Sequence, residues 1–339
     1  MDDTLKELGR KIRNARKELG FNRREDFAKA VSLPVFSIKK IEKGEVPPPL
    51  TLIHFLCNKL KVPPRAFIYG RIKDNNFLFR GRKKYKRLSE VDKVRIAVIK
   101  DLIETLIEFG KAHYNRFDFT GNPNPEIAAR EFIETYNLNK EDFNTWKVVM
   151  PLLSQKNIFV FGIPLQSQSA VVHDSEPFFI VFNSEEPADR WSFSLLHEIG
   201  HFVAPEEEKN DEAYADSFAG NVLIPEGMRY KLWRELESLI KKRWYRRFFT
   251  KVRNMDPLIS PEAVFLTLIK TFYANPDFGR FAQFRKTAQK LRQEERQSGK
   301  PIYQNGKILY PRIVLEKLKE LLSEGKITLR RYQELTMQL

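Results

Sequence analysis

The strongest constraint on the fold is a His-Glu-x-x-His segment that contains His197, Glu198 and His201. On an α-helix, residues four apart lie one turn apart on the same face, so both imidazoles can bind one Zn²⁺. Glu198 is then placed to act as a general base on water at the metal. The six residues before the segment, WSFSLL, are mostly apolar and predict a buried helix. The segment therefore predicts a metal site on a helix inside a folded core.

A zinc site for hydrolysis needs three protein ligands and one open position, so a third ligand must come from another element. Residues 210–222 have helical periodicity, and Glu212 and Asp216 share one face of that predicted helix. We predict that Glu212 is the third ligand and that Asp216 accepts the outer N–H of a ligand histidine. Asp211 is an alternative ligand whose position on the helix fits less well. The other interpretation is that these are ordinary surface acids in an acidic stretch.

Short apolar runs and helical patterns follow one another along the chain. Residues 157–163, 170–172 and 178–182 are apolar, β-branched or aromatic and predict strands, while most other segments predict helices. The predicted fold class is mainly α with a small β-sheet (α+β). The predicted parts are an all-α domain at 1–70, a basic linker at 71–87, a metal-binding domain at 88–275 and a helical basic region at 276–339.

The N-terminal domain contains two short predicted helices, 24–31 and 35–43, joined by a tight turn at 32–34. Two such helices form a helix-turn-helix, in which the second helix enters the major groove of DNA. The exposed polar residues predicted on this second helix are Ser37, Lys39 and Lys40. The pattern predicts binding of double-stranded DNA. The alternative is a small helical bundle used for dimerisation or for binding another protein.

The net charge of +15 is unevenly distributed along the chain. Residues 1–70 carry a net +7, residues 71–87 another +7, residues 88–228 a net −13 and residues 229–339 a net +14. A net-negative block is a poor surface for a phosphate backbone, so the basic ends are predicted to contact polyanions. The alternative is that the basic ends pack against the acidic middle.

Residues 241–249 form a basic run interleaved with aromatic residues. Cations on phosphates and rings on bases are how single-stranded nucleic acids are bound, so this run is a candidate for that role. The alternative is an amphipathic helix with its rings in the core and its charges in water.

Composition also predicts the cellular location of the protein. No window approaches eighteen consecutive apolar residues, and the N-terminal segment lacks the apolar stretch and cleavage pattern of a signal peptide. The single cysteine, Cys57, cannot form an internal disulfide. We therefore predict a cytoplasmic protein without membrane contact.

The N-terminal segment "SIKKIEKGEVPPPLTLIHFLCNKLKVPPRAFI" resembles the phage-repressor (Xre/Cro) helix-turn-helix family, and the resemblance covers about residues 5–69. This chain departs from the family pattern at Arg23–Arg24, where a Gln is frequent, and at Val31, where a Gly is frequent. The resemblance implies that the surface facing the groove is formed by Val35, Phe36, Ser37, Lys39 and Lys40. Since two of these residues are apolar and form no hydrogen bonds with base edges, this surface is expected to recognise the DNA sequence only weakly.

The segments "RWSFSLLHEIGH" and "DEAYADSFAGNVLIP" together resemble the ImmA/IrrE family of metallopeptidases, over roughly residues 125–270. The resemblance implies a zincin-like domain in which His197, His201 and Glu212 bind zinc and Glu198 is the general base. It also implies cleavage of a cognate repressor, with release of genes for stress response or mobile-element control.

Two functional hypotheses follow. The first is a site-specific zinc endopeptidase that cleaves a regulatory protein, most simply a DNA-bound repressor. The alternative is a DNA-binding transcriptional regulator whose zinc domain is a structural or sensing module without turnover. Glu198 favours the first, because a structural site does not need it. Mn²⁺ or Fe²⁺ could occupy a His₂Glu site as well as Zn²⁺. His173 and Tyr214 are candidates for the group that stabilises an oxyanion, and the sequence assigns neither.

Overall fold

The structure is a computed structural model. It describes residues 2–70, 77–78, 88–114, 119, 121–166, 170–173, 177–205, 207–208, 211–273, 278–300, 302 and 307–337. These residues are mainly helical and contain a four-stranded sheet. The predicted mainly α composition with a small sheet is therefore confirmed.

The described residues form two compact units. The first contains those within 1–76, 86–113 and 316–339, and the second those within 77–85 and 114–315. This grouping differs from the predicted division, because residues 88–113 join the N-terminal helices, while the described residues of 278–315 join the unit that contains the His-Glu-x-x-His segment. Helical periodicity identifies the apolar face of a helix but not the core that this face enters.

The described residues of the first unit form helices and the turns that connect them. Its helices are α1 (Asp2–Glu18), α2 (Arg24–Ala30), α3 (Val35–Glu42), α4 (Leu50–Leu60), α5 (Pro64–Tyr69), α6 (Glu90–Glu108), the end of α15 (Arg312–Ser323) and α16 (Leu329–Leu335). Helices α2 and α3 match the predicted helix-turn-helix pair. Fully buried Ile12, Phe27, Ile38 and Leu56 form its centre, and Val91 and Val94 of α6 pack into the same core.

Glu42, the last residue of α3, joins three parts of this unit. Its carboxylate accepts hydrogen bonds from Arg16 Nε and Arg24 Nε, both at 2.7 Å, and its side chain is 1% exposed. Gly44 follows with φ of +73°, and a Cβ there would lie 2.6 Å from the backbone of Lys6. A buried paired carboxylate and a close approach to α1 therefore explain why this turn contains Glu and Gly.

Ion pairs connect the C-terminal residues of this unit to α6 and the turn after it. Arg331 makes a bidentate contact with Asp101, with N–O distances of 2.6 and 2.8 Å. Lys111 contacts Glu320 and Glu324 at 3.0 and 2.9 Å. The end of the chain is thus an integral part of the N-terminal unit.

The sheet lies in the second unit. Its strands are β1 (Phe77–Leu78), β2 (Phe159–Ile163), β3 (Ala170–His173) and β4 (Phe179–Asn183), in the order β1-β3-β4-β2. Strands β2 and β4 are parallel, with Phe161 opposite Val181, and the other two pairs are antiparallel. The three predicted strands are confirmed.

Strand β1 lies inside the segment predicted to be an exposed linker. Phe77 pairs with His173 and Leu78 with Val172, so these two residues are part of the sheet. The linker prediction is wrong there, because a short apolar pair can add to an open sheet edge through backbone hydrogen bonds alone. The remainder of 71–87 lies outside the described residues.

Helices surround this sheet. They are α7 (Pro125–Thr135), α8 (Trp146–Gln155), α9 (Ala188–Val203), α10 (Glu212–Leu223), α11 (Glu226–Lys241), α12 (Tyr245–Met255), α13 (Pro261–Phe272) and α14 (Phe278–Gln297). Helix α9 packs on β3 and β4, and α10 packs against α9 and α7. The core therefore holds α9 between the sheet and α10.

A buried charge network holds the start of α9. Asp189 is fully buried and accepts hydrogen bonds from Arg253 and Arg292, both at 2.9 Å. Arg253 also contacts Glu295 at 3.2 Å, and Arg292 contacts Glu262 at 2.6 Å. Helices α12, α13 and α14 are thereby tied to the helix that carries the histidines.

Candidate metal centre

Helix α9 carries the His-Glu-x-x-His segment, and its apolar face fixes its orientation. Trp191, Leu195, Leu196 and Ile199 are buried in the core of the second unit. Pro187 lies immediately before the first helical residue and does not need an N–H partner there. The predicted buried helix is confirmed.

The two histidines and Glu212 converge, as predicted. His197 Nε2 lies 3.0 Å from His201 Nε2 and 3.4 Å from Glu212 Oε2, and His201 Nε2 lies 3.9 Å from Glu212 Oε1. The His201 side chain is 3% exposed, that of His197 16% and that of Glu212 42%. The site is therefore buried on its histidine side and open on its carboxylate side.

Asp216 lies one turn along α10 from Glu212, and its carboxylate contacts His197. The Nδ1–H of His197 donates to Asp216 Oδ1 at 2.9 Å, which leaves Nε2 facing His201. Burial acts to lower the pKa of His197, but the hydrogen bond to Asp216 and the negative charges of Glu198, Asp216 and Glu212 raise it overall. Asp216 thus orients the ring and makes Nε2 a better electron donor.

Asp211, the alternative ligand, has a different role. It is the N-cap of α10, and its Oδ1 accepts the N–H of Ala213 at 2.7 Å. Within the described residues, the group with metal-binding geometry consists of His197, His201 and Glu212. Half-buried Glu198 lies next to these residues but is not a member of the group.

This donor set fits a divalent metal ion. Two imidazole lone pairs 3.0 Å apart repel each other unless a proton or a metal ion lies between them. A tetrahedral ion with bonds of about 2.0 Å places its donors about 3.3 Å apart, and the three observed separations bracket that value. Two imidazoles and one carboxylate suit Zn²⁺ and also Mn²⁺ or Fe²⁺, so the structure does not select zinc.

Gly200 sets the distance between the two helices of the site, a role that the sequence analysis missed. A Cβ on Gly200 would lie 3.0 Å from Ala215 Cα and 3.1 Å from Ala215 O. The backbones of α9 and α10 are therefore nearly in contact beside the ligands. The signal was the presence of a Gly and an Ala in the two metal-binding segments, since small residues allow close helix packing.

We expect Gly200→Ala to lower the free energy of unfolding by about 1 kcal/mol and to weaken metal binding. Overpacking costs about 1–3 kcal/mol, which exceeds the helix-propensity gain of about 1 kcal/mol. The control is Gly220→Ala on α10, where the new Cβ meets only the Thr267 hydroxyl, at 3.2 Å. Urea unfolding with and without metal measures both effects. Equal stabilisation of the two variants would contradict the prediction.

The two candidates for oxyanion stabilisation are held by other groups. The Tyr214 hydroxyl donates to Asn122 O at 2.8 Å, and burial raises the pKa of Tyr214 to about 12. His173 Nδ1 contacts Pro177 O at 2.8 Å, and its ring stacks on Phe179. Neither residue is therefore assigned to the site.

The residues expected to face DNA lie together on α3. Val35 is 39% exposed and Phe36 is 64% exposed, while Lys39 is exposed and Ser37 and Lys40 are half-buried. Lys40 Nζ lies 4.5 Å from the centre of the Phe36 ring. The first turn of α3 thus presents an apolar surface beside two cations.

The basic aromatic run at 241–249 covers the last residue of α11, the turn after it and the start of α12. Tyr245, Phe248 and Phe249 are buried in the core, so their rings are not available to stack on bases. Trp244 is 44% exposed, with Lys242 and Arg247 over its ring. Residues 245–249 therefore belong to an amphipathic helix, and binding of single-stranded nucleic acid by the C-terminal region stays a prediction.

No protein-family model, curated protein or solved structure matches this chain. Within the described ranges, no helix is long and apolar enough to span a membrane. The case for a function therefore depends on the geometry of this chain's own residues.

Proposed function

We propose that the protein is a metal-dependent endopeptidase that cleaves a regulatory protein at one site. The observation that carries the proposal is the convergence of His197, His201 and Glu212 with Glu198 beside them and outside the ligand group. A structural metal site needs only the ligands. A hydrolytic site also needs a base that is not a metal ligand, and we assign that role to Glu198.

Each residue of the site has a distinct role in this proposal. Asp216 holds the His197 ring through Nδ1, so that the ring does not have to reorient during the reaction. Glu198 accepts a proton from the attacking water and gives it to the leaving amine. The exposed side of Glu212 leaves room for an extended peptide to reach the site.

A divalent ion bound by these ligands acts as a Lewis acid, which activates water at neutral pH and polarises the scissile carbonyl. We propose Zn²⁺ as this ion, with Mn²⁺ and Fe²⁺ as alternatives for the same donor set.

For the substrate we propose a repressor-like protein bound to DNA. The exposed surface of α3 and the net +7 of residues 1–70 support binding of double-stranded DNA through the helix-turn-helix. If enzyme and repressor bind the same operator, their effective concentration rises and a weak peptide contact suffices for cleavage. The proposed setting is the cytoplasm, in stress response or in control of mobile elements or defence.

The test compares new protein N-termini in native cells that express either the wild type or Glu198→Gln, with and without DNA damage. We expect one new terminus, in a repressor-like protein, that appears only with the wild type. Identical profiles under all conditions, with metal bound to both proteins, would favour the second candidate. That candidate is a DNA-binding regulator whose metal site is structural or sensory. Such a regulator would need the three ligands but not Glu198.

DNA binding has its own prediction, because exposed Lys39 can neutralise one phosphate. Lys39→Ala should weaken binding to any mixed-sequence 30-base-pair duplex to a similar extent. It should also reduce the slope of log K against log salt by about 0.9. Fluorescence anisotropy across a salt series measures the slope, and Lys326→Ala, in the turn before α16, is the control. An unchanged slope would remove Lys39 from the interface.

A further inference from the structure

A cavity lies beside the C-terminal half of α10, away from the metal ligands. Its volume is about 630 Å³, and a smaller cavity of about 70 Å³ shares several of its lining residues. Both are lined by Asn221, Arg229, Lys270 and Glu126, and the smaller one also by Asp216 and Phe193. Because Asp216 also contacts His197, the smaller cavity lies next to the candidate metal site.

Among the described residues, buried Arg229 has no carboxylate partner. It is 8% exposed, its Nη1 donates one long hydrogen bond of 3.4 Å to Thr271 Oγ1, and its Nε has no hydrogen-bond partner in the described part of the chain. Burial lowers the pKa of Arg229, and nearby Glu126 and Glu226 only partly oppose this. Neither acid forms an ion pair with it, and Glu226 lies 3.8 Å from the exposed Arg130 instead. Burial of the Arg229 charge is therefore energetically unfavourable, and its N–H groups are able to donate hydrogen bonds to a ligand.

Asn221, which lines the same cavities, contains a buried and unsatisfied acceptor atom. Its Nδ2 donates to Ser217 O at 2.7 Å, and because a carbonyl can only accept, this bond fixes the amide orientation. Asn221 Oδ1 then points away from Ser217 and has no hydrogen-bond partner within the described ranges. A ligand that suits both residues must bring an anionic acceptor for Arg229 and an N–H donor for Asn221.

We propose that Arg229 and Asn221 form a subsite for a carboxylate carried by the peptide substrate. The planar guanidinium suits a carboxylate, and the backbone N–H of the residue that carries it can donate to Asn221 Oδ1. A peptide can therefore supply the acceptor and the donor from one residue, which a fully ionised anion such as sulfate cannot do. The inference rests on the proposed function for its substrate class.

The position of the subsite predicts where the carboxylate lies in the substrate. Asn221 follows the ligand Glu212 by nine residues on α10, which corresponds to about 13 Å along the helix. An extended peptide covers that distance in about four residues. The carboxylate therefore lies about four residues from the scissile bond, as an Asp or Glu side chain or as the C-terminal carboxylate.

The test measures binding rather than cleavage, so that it does not require turnover. Full-length, metal-loaded Glu198→Gln protein is mixed with N-acetylated random decapeptides, supplied either with an amidated C-terminus or with a free one. Peptides retained after ultrafiltration are identified by mass spectrometry. The same measurement is made with Arg229→Met added, and with Arg130→Met as the control. Arg130 lines the same cavity with the same charge but is 63% exposed.

We expect retention of carboxylate-bearing peptides to fall at least about tenfold with Arg229→Met and to change little with Arg130→Met. Loss confined to Asp or Glu peptides with amidated ends identifies a side chain as the source. Loss confined to peptides with free ends identifies the C-terminus. Retention that is independent of carboxylates, or unchanged by Arg229→Met, would overturn the subsite. If peptides are retained through their carboxylates but the wild-type protein, which has Glu198, does not cleave them, the proposed function is rejected and the subsite is retained.

Thermal unfolding supplies a second readout. Because Arg229 lacks a carboxylate partner in the described parts of the chain, its replacement by Met should raise the melting temperature or leave it unchanged. A lower melting temperature would mean that partners within the fold satisfy the guanidinium, and it would also overturn the inference.

Discussion

Purified Glu198→Gln protein should bind one metal ion per chain as the wild type does and should cleave the substrate about 10²–10⁴-fold more slowly. Gln has the size and shape of Glu but cannot take a proton from water, and general-base catalysis contributes a factor of this order. Glu198 lies outside the ligand group, so its replacement leaves all three donors in position. Metal content by mass spectrometry and single-turnover cleavage of the protein identified in cells measure the two quantities.

Two controls separate loss of the base from loss of the site. His201→Ala removes a ligand that is 2% exposed, so both metal content and cleavage should fall. Glu185→Gln makes the same chemical change at an exposed residue before α9 and should leave both unchanged. Full cleavage by Glu198→Gln would mean that another group acts as the base. Loss of metal from Glu198→Gln would mean that Glu198 supports the site structurally.

The ligand group was predictable because each member obeys a local rule. His197 and His201 are four residues apart on a helix, and so are Glu212 and Asp216, so each pair shares a face without any knowledge of the fold. Hydrophobic periodicity then required both helices to be buried on one side. The same local rule explains why Asp211 was the weaker candidate, since its position before the helix makes it an N-cap.

Other features depend on long-range contacts and could not be predicted in the same way. Asp189, Arg253 and Arg292 are separated by dozens of residues, and nothing in their local sequence indicates that they meet. Helix α6 has an apolar face, but only the folded chain reveals that Val91 and Val94 enter the core of the N-terminal unit. Orphaned atoms such as Arg229 Nε are likewise visible only after the surrounding residues are in position.

The buried network around Asp189 makes stability depend on pH. Burial would raise the pKa of Glu262, but the hydrogen bonds and charge of Arg292 lower it overall. A carboxyl with a lowered pKa stabilises the fold above its ordinary value near 4.5, and this contribution is lost as pH falls through the lowered pKa. Glu262 should therefore remain ionised in moderately acidic solution, and its share of the network is lost only in stronger acid.

Asp189→Ala should destabilise the second unit by about 3–5 kcal/mol, the largest stability effect we expect for a single substitution. It leaves two buried guanidiniums, with side-chain exposures of 6% for Arg253 and 10% for Arg292, without the carboxylate that both contact. The control is Glu294→Ala on the same helix as Arg292, because its ion pair with Arg246 is exposed and should contribute little.

Urea unfolding of metal-loaded protein, followed by circular dichroism, measures this loss. Asp189 lies at the start of α9 and the ligand histidines lie two to three turns further on, so a loosened helix start should also weaken metal binding. The double variant Asp189→Leu/Arg253→Met removes one charge of each sign, while Arg292 keeps its ion pair with Glu262 and Glu295 keeps its ion pair with Lys300. It should recover part of the lost stability, because fewer buried charges remain unpaired. The prediction is contradicted if Asp189→Ala lowers the free energy of unfolding no more than Glu294→Ala does. Glu262, Glu295 and the backbone carbonyls would then satisfy both arginines without Asp189, and the network would not be what holds α9 in place.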